Sequence, residues 1–284
     1  MVVVVSLVEV SLLTVVVLAS ALFLAGAVAG ITAGLFGNGG GFVVVPALLA
    51  VFPLFSDDYS RHIYVAVGTS LATIIVSSSR AVHAHKSRNA VDFEVLKSWA
   101  PWLVVGVLFG LYVASMIDGS SLMLVFAIGV LIYSFYFLFP QWFAGRGGFS
   151  MPTGVGCATL ATALGGFSSL LGIGGGTITV VTMVMCGRKV HQAVATASGV
   201  GVIISVPGAL GFLVLGWNAT GLPVGSIGYI NLPALLAVCL TSVITAPIGA
   251  RWAHSLNEIH LKRIFGVYLL GVSSTMFYKT IATL

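Results

Sequence analysis

Ten apolar runs, separated by short polar loops, constrain the fold of this chain more than any other feature. The runs cover about residues 3–35, 41–55, 62–83, 98–117, 121–140, 151–172, 176–187, 190–215, 228–250 and 259–281. A helix needs roughly 20 apolar residues to cross the hydrocarbon core of a bilayer. Because backbone polar groups in lipid must find partners within the chain, the runs predict an all-α polytopic membrane protein.

Charged side chains are too few to coat a soluble domain. They make up 7% of the 284 residues, against 58% for hydrophobic residues, and a soluble fold needs a charged surface. A net charge of +5 would suggest a nucleic-acid partner in a soluble protein, but here the basic residues lie in short loops. They indicate orientation in a bilayer. We therefore predict a multi-pass protein of the inner (plasma) membrane, with lipid and not nucleic acid as a partner.

The first run differs from a signal peptide in its pattern. It has no basic leader, carries Glu9 and stays apolar beyond the length of a signal-peptide core, so we interpret it as a retained span. The cysteines, Cys157, Cys186 and Cys239, lack metal-ligand spacing and are predicted to pack within the bundle. We expect no metal and no cofactor.

The loop charges indicate how the runs cross the membrane, because Lys and Arg gather on the cytoplasmic side. If all ten runs cross, the basic loops near Lys86, Arg188 and Arg251 share one face. Re-entrant second and seventh runs would instead place Arg188 opposite Lys86. We therefore predict ten crossings with both termini outside. Five crossings per half make residues 1–145 and 146–284 two inverted repeats of one transport domain.

A repeated motif supports two related halves. Gly37-Asn38-Gly39-Gly40-Gly41-Phe42 ends the first run, and Gly172-Ile173-Gly174-Gly175-Gly176-Thr177 ends the sixth. The runs that follow, of about 15 and 12 residues, are too short to cross as straight helices and predict broken helices. Farther along, Arg61-His62-Ile63-Tyr64-Val65-Ala66-Val67-Gly68-Thr69-Ser70 parallels Val190-His191-Gln192-Ala193-Val194-Ala195-Thr196-Ala197-Ser198-Gly199. Matches in the same order indicate an internal repeat.

The glycine-rich breaks are the predicted anion site. Glycine lets a ligand approach the backbone closely, and unpaired N–H groups at the start of a helix carry partial positive charge. Many transporters build substrate sites from broken helices near the bilayer midplane. The alternative is that the glycines only allow close helix packing. The predicted ligands at the breaks are Asn38, Gly39, Gly40, Gly41, Gly174, Gly175 and Gly176.

Hydroxyl and cationic side chains on the next helices extend the predicted site. Two of the hydroxyls lie seven residues after the matching histidines, about 10 Å along a helix axis. The further predicted ligands are Thr69, Ser70, Thr196, Ser198, Arg80, His62 and His191. The alternatives are hydroxyls that bond only to their own helix backbone, histidines that mark helix starts at the interface, and an arginine that snorkels to the membrane surface.

Acidic residues and enzyme motifs are scarce in the apolar runs. Of the seven carboxylates only Glu9 lies within a run, so a proton relay of buried acids is not expected. The second glycine motif lacks the Lys and Ser/Thr of a phosphate-binding loop, and no zinc or nucleophile–base pattern stands out. We expect a protein that is not an enzyme.

Together the motifs resemble those of the sulfite exporter TauE/SafE family. The resemblance covers nearly all of the chain and rests on Gly37-Asn38-Gly39-Gly40-Gly41 with Pro46, on Ala66-Val67-Gly68-Thr69-Ser70, on the basic loop His85-Lys86-Ser87-Arg88 and on Gly172-Ile173-Gly174-Gly175-Gly176. It implies movement of sulfite, sulfonates or related sulfur oxyanions. Val181 stands where Pro46 aligns, and Ser198-Gly199 replaces the Thr-Ser pair, so the two halves are expected to contribute unequally.

The resulting hypothesis is a transporter that moves a small sulfur-containing oxyanion, sulfite or an organosulfonate, by alternating access. A passive anion channel and a membrane accessory protein without transport are the alternatives, and neither predicts mirrored broken helices as directly. The predicted partners are a small anionic substrate and the lipid bilayer. The sequence leaves open which anion moves, in which direction, and whether the chain forms a homodimer.

Overall fold

A computed structural model describes residues 12–55, 59–86, 90–142, 150–253 and 258–283. Most of these residues lie in ten α-helices: α1 Leu12–Phe36, α2 Gly41–Val51, α3 Tyr59–Lys86, α4 Phe93–Met116, α5 Gly119–Leu138, α6 Gly154–Leu171, α7 Gly176–Met185, α8 Val190–Leu215, α9 Leu232–Trp252 and α10 Glu258–Thr283. Single 3-10 turns follow α2 and α5, at Phe52–Leu54 and Pro140–Trp142. A short antiparallel pair, β1 Ser226–Ile227 and β2 Ile230–Asn231, lies between α8 and α9.

Polar caps move two helix starts away from the predicted run boundaries. The Asp92 side chain accepts a hydrogen bond of 3.3 Å from a first-turn N–H of α4, so this helix begins at Phe93, five residues before the predicted run. The Asn231 side chain accepts one of 3.0 Å from α9, which begins at Leu232 because the strand pair takes the start of the predicted ninth run. Side chains of this kind satisfy N–H groups that a helix start leaves unpaired.

Seven of the described helices are long and apolar enough to cross a membrane: α1, α3, α4, α5, α6, α8 and α9. This confirms the predicted all-α polytopic fold. α2 and α7 have only 11 and 10 residues, about 16 and 15 Å at 1.5 Å per residue. α10 has 26 residues and carries Lys262, Arg263 and Lys279. Ten crossings stay a prediction, and residues 3–11 of the first run, including Glu9, lie outside the described residues.

Small residues allow the long helices to pack in close pairs. Gly26 lies against Val238, and Gly34, farther along α1, lies against Ala250, farther along α9. α1 and α9 therefore run parallel. α4 runs parallel to α6, and Gly106 lies against the Thr162 backbone. Such close backbone approach is typical of membrane helix bundles.

Two further pairs are antiparallel. α3 packs along α8, and α5 packs along α10. In a repeat of five helices, each helix of the first half has a counterpart five helices later, so that α1 corresponds to α6 and α4 to α9. Under this correspondence the pair α1–α9 is equivalent to the pair α6–α4. The pairs α3–α8 and α5–α10 each consist of two corresponding helices. This is the packing expected from two related halves. Their inverted insertion in the membrane and the boundary between residues 145 and 146 stay predictions.

The two ends of the bundle differ in charge. One end, here named the basic end, carries Arg188, Lys189, Arg251 and Lys262 on the start of α8, the end of α9 and the start of α10. An ion pair of 3.4 Å between Arg188 and Asp92 joins the starts of α8 and α4 there. The positive-inside bias predicts that the basic end is cytoplasmic. The opposite end contains the starts of α3, α5 and α9.

Candidate functional site

Two glycine loops interrupt the bundle, one between α1 and α2 and the other between α6 and α7. Gly37, Gly39 and Gly40 in the first loop have φ of +67°, +74° and +84°. Gly172 and Gly175 in the second loop both have φ of +64°. Side chains other than glycine are strained in this left-handed region. The glycine motifs are therefore required by the path of the backbone, independently of any ligand.

The two loops cross in direct contact. A Cβ added at Gly41 would overlap the carbonyl oxygen of Gly172, and a Cβ added at Gly176 would overlap that of Gly37. The N–H of Gly174 also donates a hydrogen bond of 3.3 Å to the carbonyl oxygen of Asn38. The first residue of each short helix thus packs on the loop of the other half. We name this contact the glycine crossing.

Two helices begin at the glycine crossing. Gly40 and Gly175 are the N-cap residues of α2 and α7. In the first loop, Asn38 Oδ1 accepts a hydrogen bond of 3.1 Å from the Gly40 N–H, which fixes the turn. The N–H groups in the first turn of an α-helix have no acceptor within the helix and carry partial positive charge. The crossing therefore brings two such helix ends to one place.

Four buried polar groups surround these helix starts without a hydrogen-bond partner among the described residues. They are Asn38 Nδ2, Ser78 Oγ, Ser168 Oγ and Thr177 Oγ1, on side chains that are at most 4% exposed. A buried polar group left unpaired costs about 1–3 kcal/mol. Such groups are rare and call for a ligand or water as an explanation. Each of the four offers an N–H or O–H donor.

Two of these hydroxyls lie directly beside the loops. Ser78 Oγ would lie 3.1 Å from a Cβ at Gly39 and 2.8 Å from one at Gly201. Ser168 Oγ would lie 3.0 Å from a Cβ at Gly175. Ser78, Ser168 and Thr177 were absent from the sequence-based prediction. Ser168 lies four residues before the second glycine motif and Thr177 lies one residue after it. This proximity to the motif is the sequence feature that could have identified them.

The predicted hydroxyls on α3 and α8 have other partners in this conformation. Thr69 Oγ1 accepts a hydrogen bond of 2.8 Å from the N–H of Asn231, and Thr196 Oγ1 accepts one of 2.9 Å from the N–H of Asp92. Each threonine thus holds the capping residue of a neighbouring helix. Ser198 Oγ donates to a carbonyl of its own helix at 3.1 Å. Ser70 Oγ reaches the glycine crossing and donates to Gly172 O at 2.7 Å.

Of the predicted basic ligands, His62 lies far from the crossing, whereas His191 and Arg80 lie within one turn of Val194 and Ser78, which contact its first loop. His62 is buried and its ring centroid lies 6.1 Å from that of Phe52, which follows the far end of α2. Because α2 has 11 residues, this places His62 roughly 16 Å from the crossing. His191 is exposed at the start of α8, and Arg80 is exposed on α3. The crossing itself is lined by neutral donors.

Metal-ligating side chains do not cluster in the described part of the chain. In the described ranges no group of three or more His, Cys, Asp or Glu residues could hold a metal ion. Cys157, Cys186 and Cys239 are free cysteines. The arrangement instead offers hydrogen-bond donors and helix starts, which suit an anion with several oxygen atoms.

A bundle of membrane-spanning helices with two broken helices crossing in its interior defines a polytopic membrane protein of the transporter class. Comparison with known families agrees, since the model of the sulfite exporter TauE/SafE family matches residues 22–276. The chain belongs to the sulfite exporter TauE/SafE family. This confirms the resemblance inferred from the motifs.

Similar curated proteins are also named as transporters. A probable membrane transporter protein of Haemophilus influenzae is 30% identical over 262 residues, covering 90% of this chain and 97% of the relative. A probable membrane transporter protein of Methanocaldococcus jannaschii is 27% identical, covering 88% and 92%. One from Bacillus subtilis is 28% identical, covering 90% and 96%. No solved structure matches this chain. These similarities, with the seven apolar spans, confirm a multi-pass membrane transporter of the plasma membrane.

Proposed function

We propose that this transporter moves a small sulfur-containing oxyanion, sulfite or an organosulfonate, across the membrane by alternating access, and that the glycine crossing binds it. The observation that carries the proposal is the group of four buried, unpartnered donors beside the starts of α2 and α7. The family assignment supports a sulfur oxyanion as the substrate. The crossing lies within one chain, so the proposal requires no second copy.

The chemistry of the crossing favours an anion over a cation. Asn38 Nδ2 can only donate, and the hydroxyls of Ser78, Ser168 and Thr177 are free to donate. The first-turn N–H groups of α2 and α7 add partial positive charge. A sulfonate or sulfite group presents three oxygen acceptors in a compact pyramid, which matches several donors converging from two loops and two neighbouring helices.

Neutral donors also allow the site to release its ligand. A lysine or arginine in the low-dielectric interior would hold an anion strongly, whereas hydroxyls, an amide and backbone N–H groups stabilise the charge without a fixed counter-ion. Transport requires binding that is reversible on both sides. In this proposal the anion approaches the backbone of the predicted glycines, which are Gly39, Gly40, Gly41, Gly174, Gly175 and Gly176. The predicted hydroxyls can exchange their present hydrogen-bond partners for the anion; they belong to Thr69, Ser70, Thr196 and Ser198.

Alternating access is supported by different packing at the two ends of the bundle. At the end opposite the basic end, Tyr64 Oη donates a hydrogen bond of 2.5 Å to Ile117 O. The Tyr64 ring also stacks on Tyr229 with centroids 5.1 Å apart. These contacts close the bundle between α3 and the strand pair. In an inverted repeat, the second conformation arises when the two halves exchange packing arrangements.

Transport by purified protein in proteoliposomes tests the proposal. We expect saturable uptake of radiolabelled sulfite or taurine, and faster uptake when unlabelled substrate is preloaded on the other side. Flux that does not saturate and shows no counterflow would contradict alternating access and favour the passive channel. Protein that binds and transports no anion in a panel of sulfite, sulfate, thiosulfate, taurine and sulfoacetate would contradict the substrate class.

A further inference from the structure

A narrow cavity at the basic end extends to the glycine crossing. Its volume is about 30 Å³, which is enough to admit water. Its lining includes Leu35, Phe36, Thr177, His191, Trp252 and Lys262. They come from α1, α7, α8, α9 and α10, so the cavity lies where both halves meet.

The inner part of the cavity touches both broken helices. Leu35 and Phe36 are the last two residues of α1, directly before Gly37. Thr177 is the second residue of α7. Its side chain is 4% exposed, and its hydroxyl has no hydrogen-bond partner in the described part of the chain. The base of the cavity therefore combines a helix start with a free donor.

The mouth of the cavity lies at the basic end, where Lys189, Arg251 and Lys262 give an excess of basic residues. Lys262 lies in the first turns of α10, with Nζ 5.7 Å from the centroid of the Tyr136 ring. His191 is exposed in the first turn of α8. A positive mouth with apolar walls concentrates field lines and attracts anions.

The corresponding place at the other end is closed. His62 is the repeat counterpart of His191 but is only 2% exposed. Tyr64, two residues later, stacks on Tyr229 and closes that end. The two equivalent histidines thus differ in burial, and among the described residues this cavity reaches the crossing from the basic end.

We propose that this cavity is the entrance for the anion at the basic end, with Lys262 attracting the charge and the Thr177 hydroxyl as its first ligand. The inference rests on the proposed function and adds a binding subsite to it.

Cysteine accessibility tests the entrance without relying on transport. The starting protein carries Cys157→Ser, Cys186→Ser and Cys239→Ser, and Thr177→Cys is added because cysteine is close to threonine in size. The probes are two membrane-impermeant methanethiosulfonates, one with a sulfonate and one with a trimethylammonium group. Lys189→Cys marks the basic end and Val224→Cys marks the opposite end, since both native residues are exposed outside the cavity.

We expect Thr177→Cys to react only from the side that labels Lys189→Cys. The sulfonate reagent should react roughly tenfold faster than the cationic reagent, because the mouth is positive. Adding Lys262→Gln should remove most of this ratio while leaving the labelling of Lys189→Cys unchanged. Three results would each contradict the proposed entrance. They are reaction of Thr177→Cys from the side that labels Val224→Cys, equal rates for both reagents, and no reaction in protein that elutes as a single species.

The two proposals fail in different ways. If proteoliposomes transport sulfite or taurine but Thr177→Cys reacts from the opposite end, the function stands and the entrance is wrong. If Thr177→Cys reacts as expected but the panel of anions shows no flux, the cavity is an anion site and the transport proposal is wrong. As a second variant, Thr177→Val should lower the apparent affinity for sulfite or taurine at least about tenfold, as expected for loss of one hydrogen bond to an anion. An unchanged affinity in folded Thr177→Val would contradict the role of this hydroxyl.

Discussion

Two adjacent serines on α3 give a sharp test of the glycine crossing, because the structure predicts opposite effects from the same substitution. Ser77 Oγ donates a hydrogen bond of 2.9 Å to Gly39 O. Ser78 Oγ has no partner among the described residues, and both side chains are at most 2% exposed. Ser77→Ala leaves a carbonyl without its donor, whereas Ser78→Ala removes a donor that has no acceptor in the ligand-free protein.

The magnitudes follow from the energetics of buried hydrogen bonds. Ser77→Ala should lower the free energy of unfolding by about 1 kcal/mol. Ser78→Ala should raise it by about 1 kcal/mol, because an unpaired buried hydroxyl is removed and the volume changes little. For a chain of this size each change shifts the unfolding temperature by roughly 2 °C. The two variants should therefore differ by roughly 4 °C in the absence of ligand.

The order should reverse in ligand binding. Loss of a hydrogen bond to a charged group costs about 1.5–3 kcal/mol, so Ser78→Ala should weaken sulfite or taurine binding by at least about tenfold. Ser77→Ala should change the affinity much less. Thermal unfolding of purified protein with and without added anion measures both quantities. Equal destabilisation by the two substitutions, with equal ligand-induced shifts, would refute the assignment of Ser78 to the site.

Three further outcomes test the packing around the crossing. Thr69→Val should lower the free energy of unfolding by about 1–3 kcal/mol, because the buried N–H of Asn231 loses its acceptor; an unchanged unfolding temperature would contradict this role. Gly41→Ala should prevent recovery of monodisperse protein, since its Cβ would overlap the Gly172 carbonyl. Gly271→Ala is the matched control, because a Cβ there meets nothing within 4 Å. Its gel-filtration profile should match that of the parent.

The helices and their breaks could be predicted because their causes are local. An apolar run of sufficient length has few alternatives to a membrane helix. A cluster such as Gly37 to Gly41 predicts a break because left-handed backbone favours glycine. The clearest errors in predicted helix boundaries are at Phe93 and Leu232. The capping residue Asp92 starts α4 before the apolar run begins. The strand pair and the capping residue Asn231 delay the start of α9.

Side-chain roles at the crossing were less predictable because they depend on how each helix is rotated in the bundle. Thr69 and Ser70 are neighbours in sequence, yet one hydroxyl holds the strand pair and the other reaches Gly172. Ser78 lies nine residues after Thr69, beyond the aligned motif, and faces the loops only because α3 packs antiparallel along α8. A single sequence does not contain that rotation.

The central claim is that the glycine crossing binds and moves an oxyanion, and Asn38→Asp tests it most directly. The aspartate keeps an oxygen for the Gly40 N–H, so the loop retains its hydrogen bond. It replaces the unpartnered Nδ2 donor with an acceptor and adds negative charge. Counterflow of radiolabelled sulfite and taurine in proteoliposomes is the measurement. The account predicts saturable counterflow for the parent and almost none for folded Asn38→Asp; parental rates in this variant would contradict it.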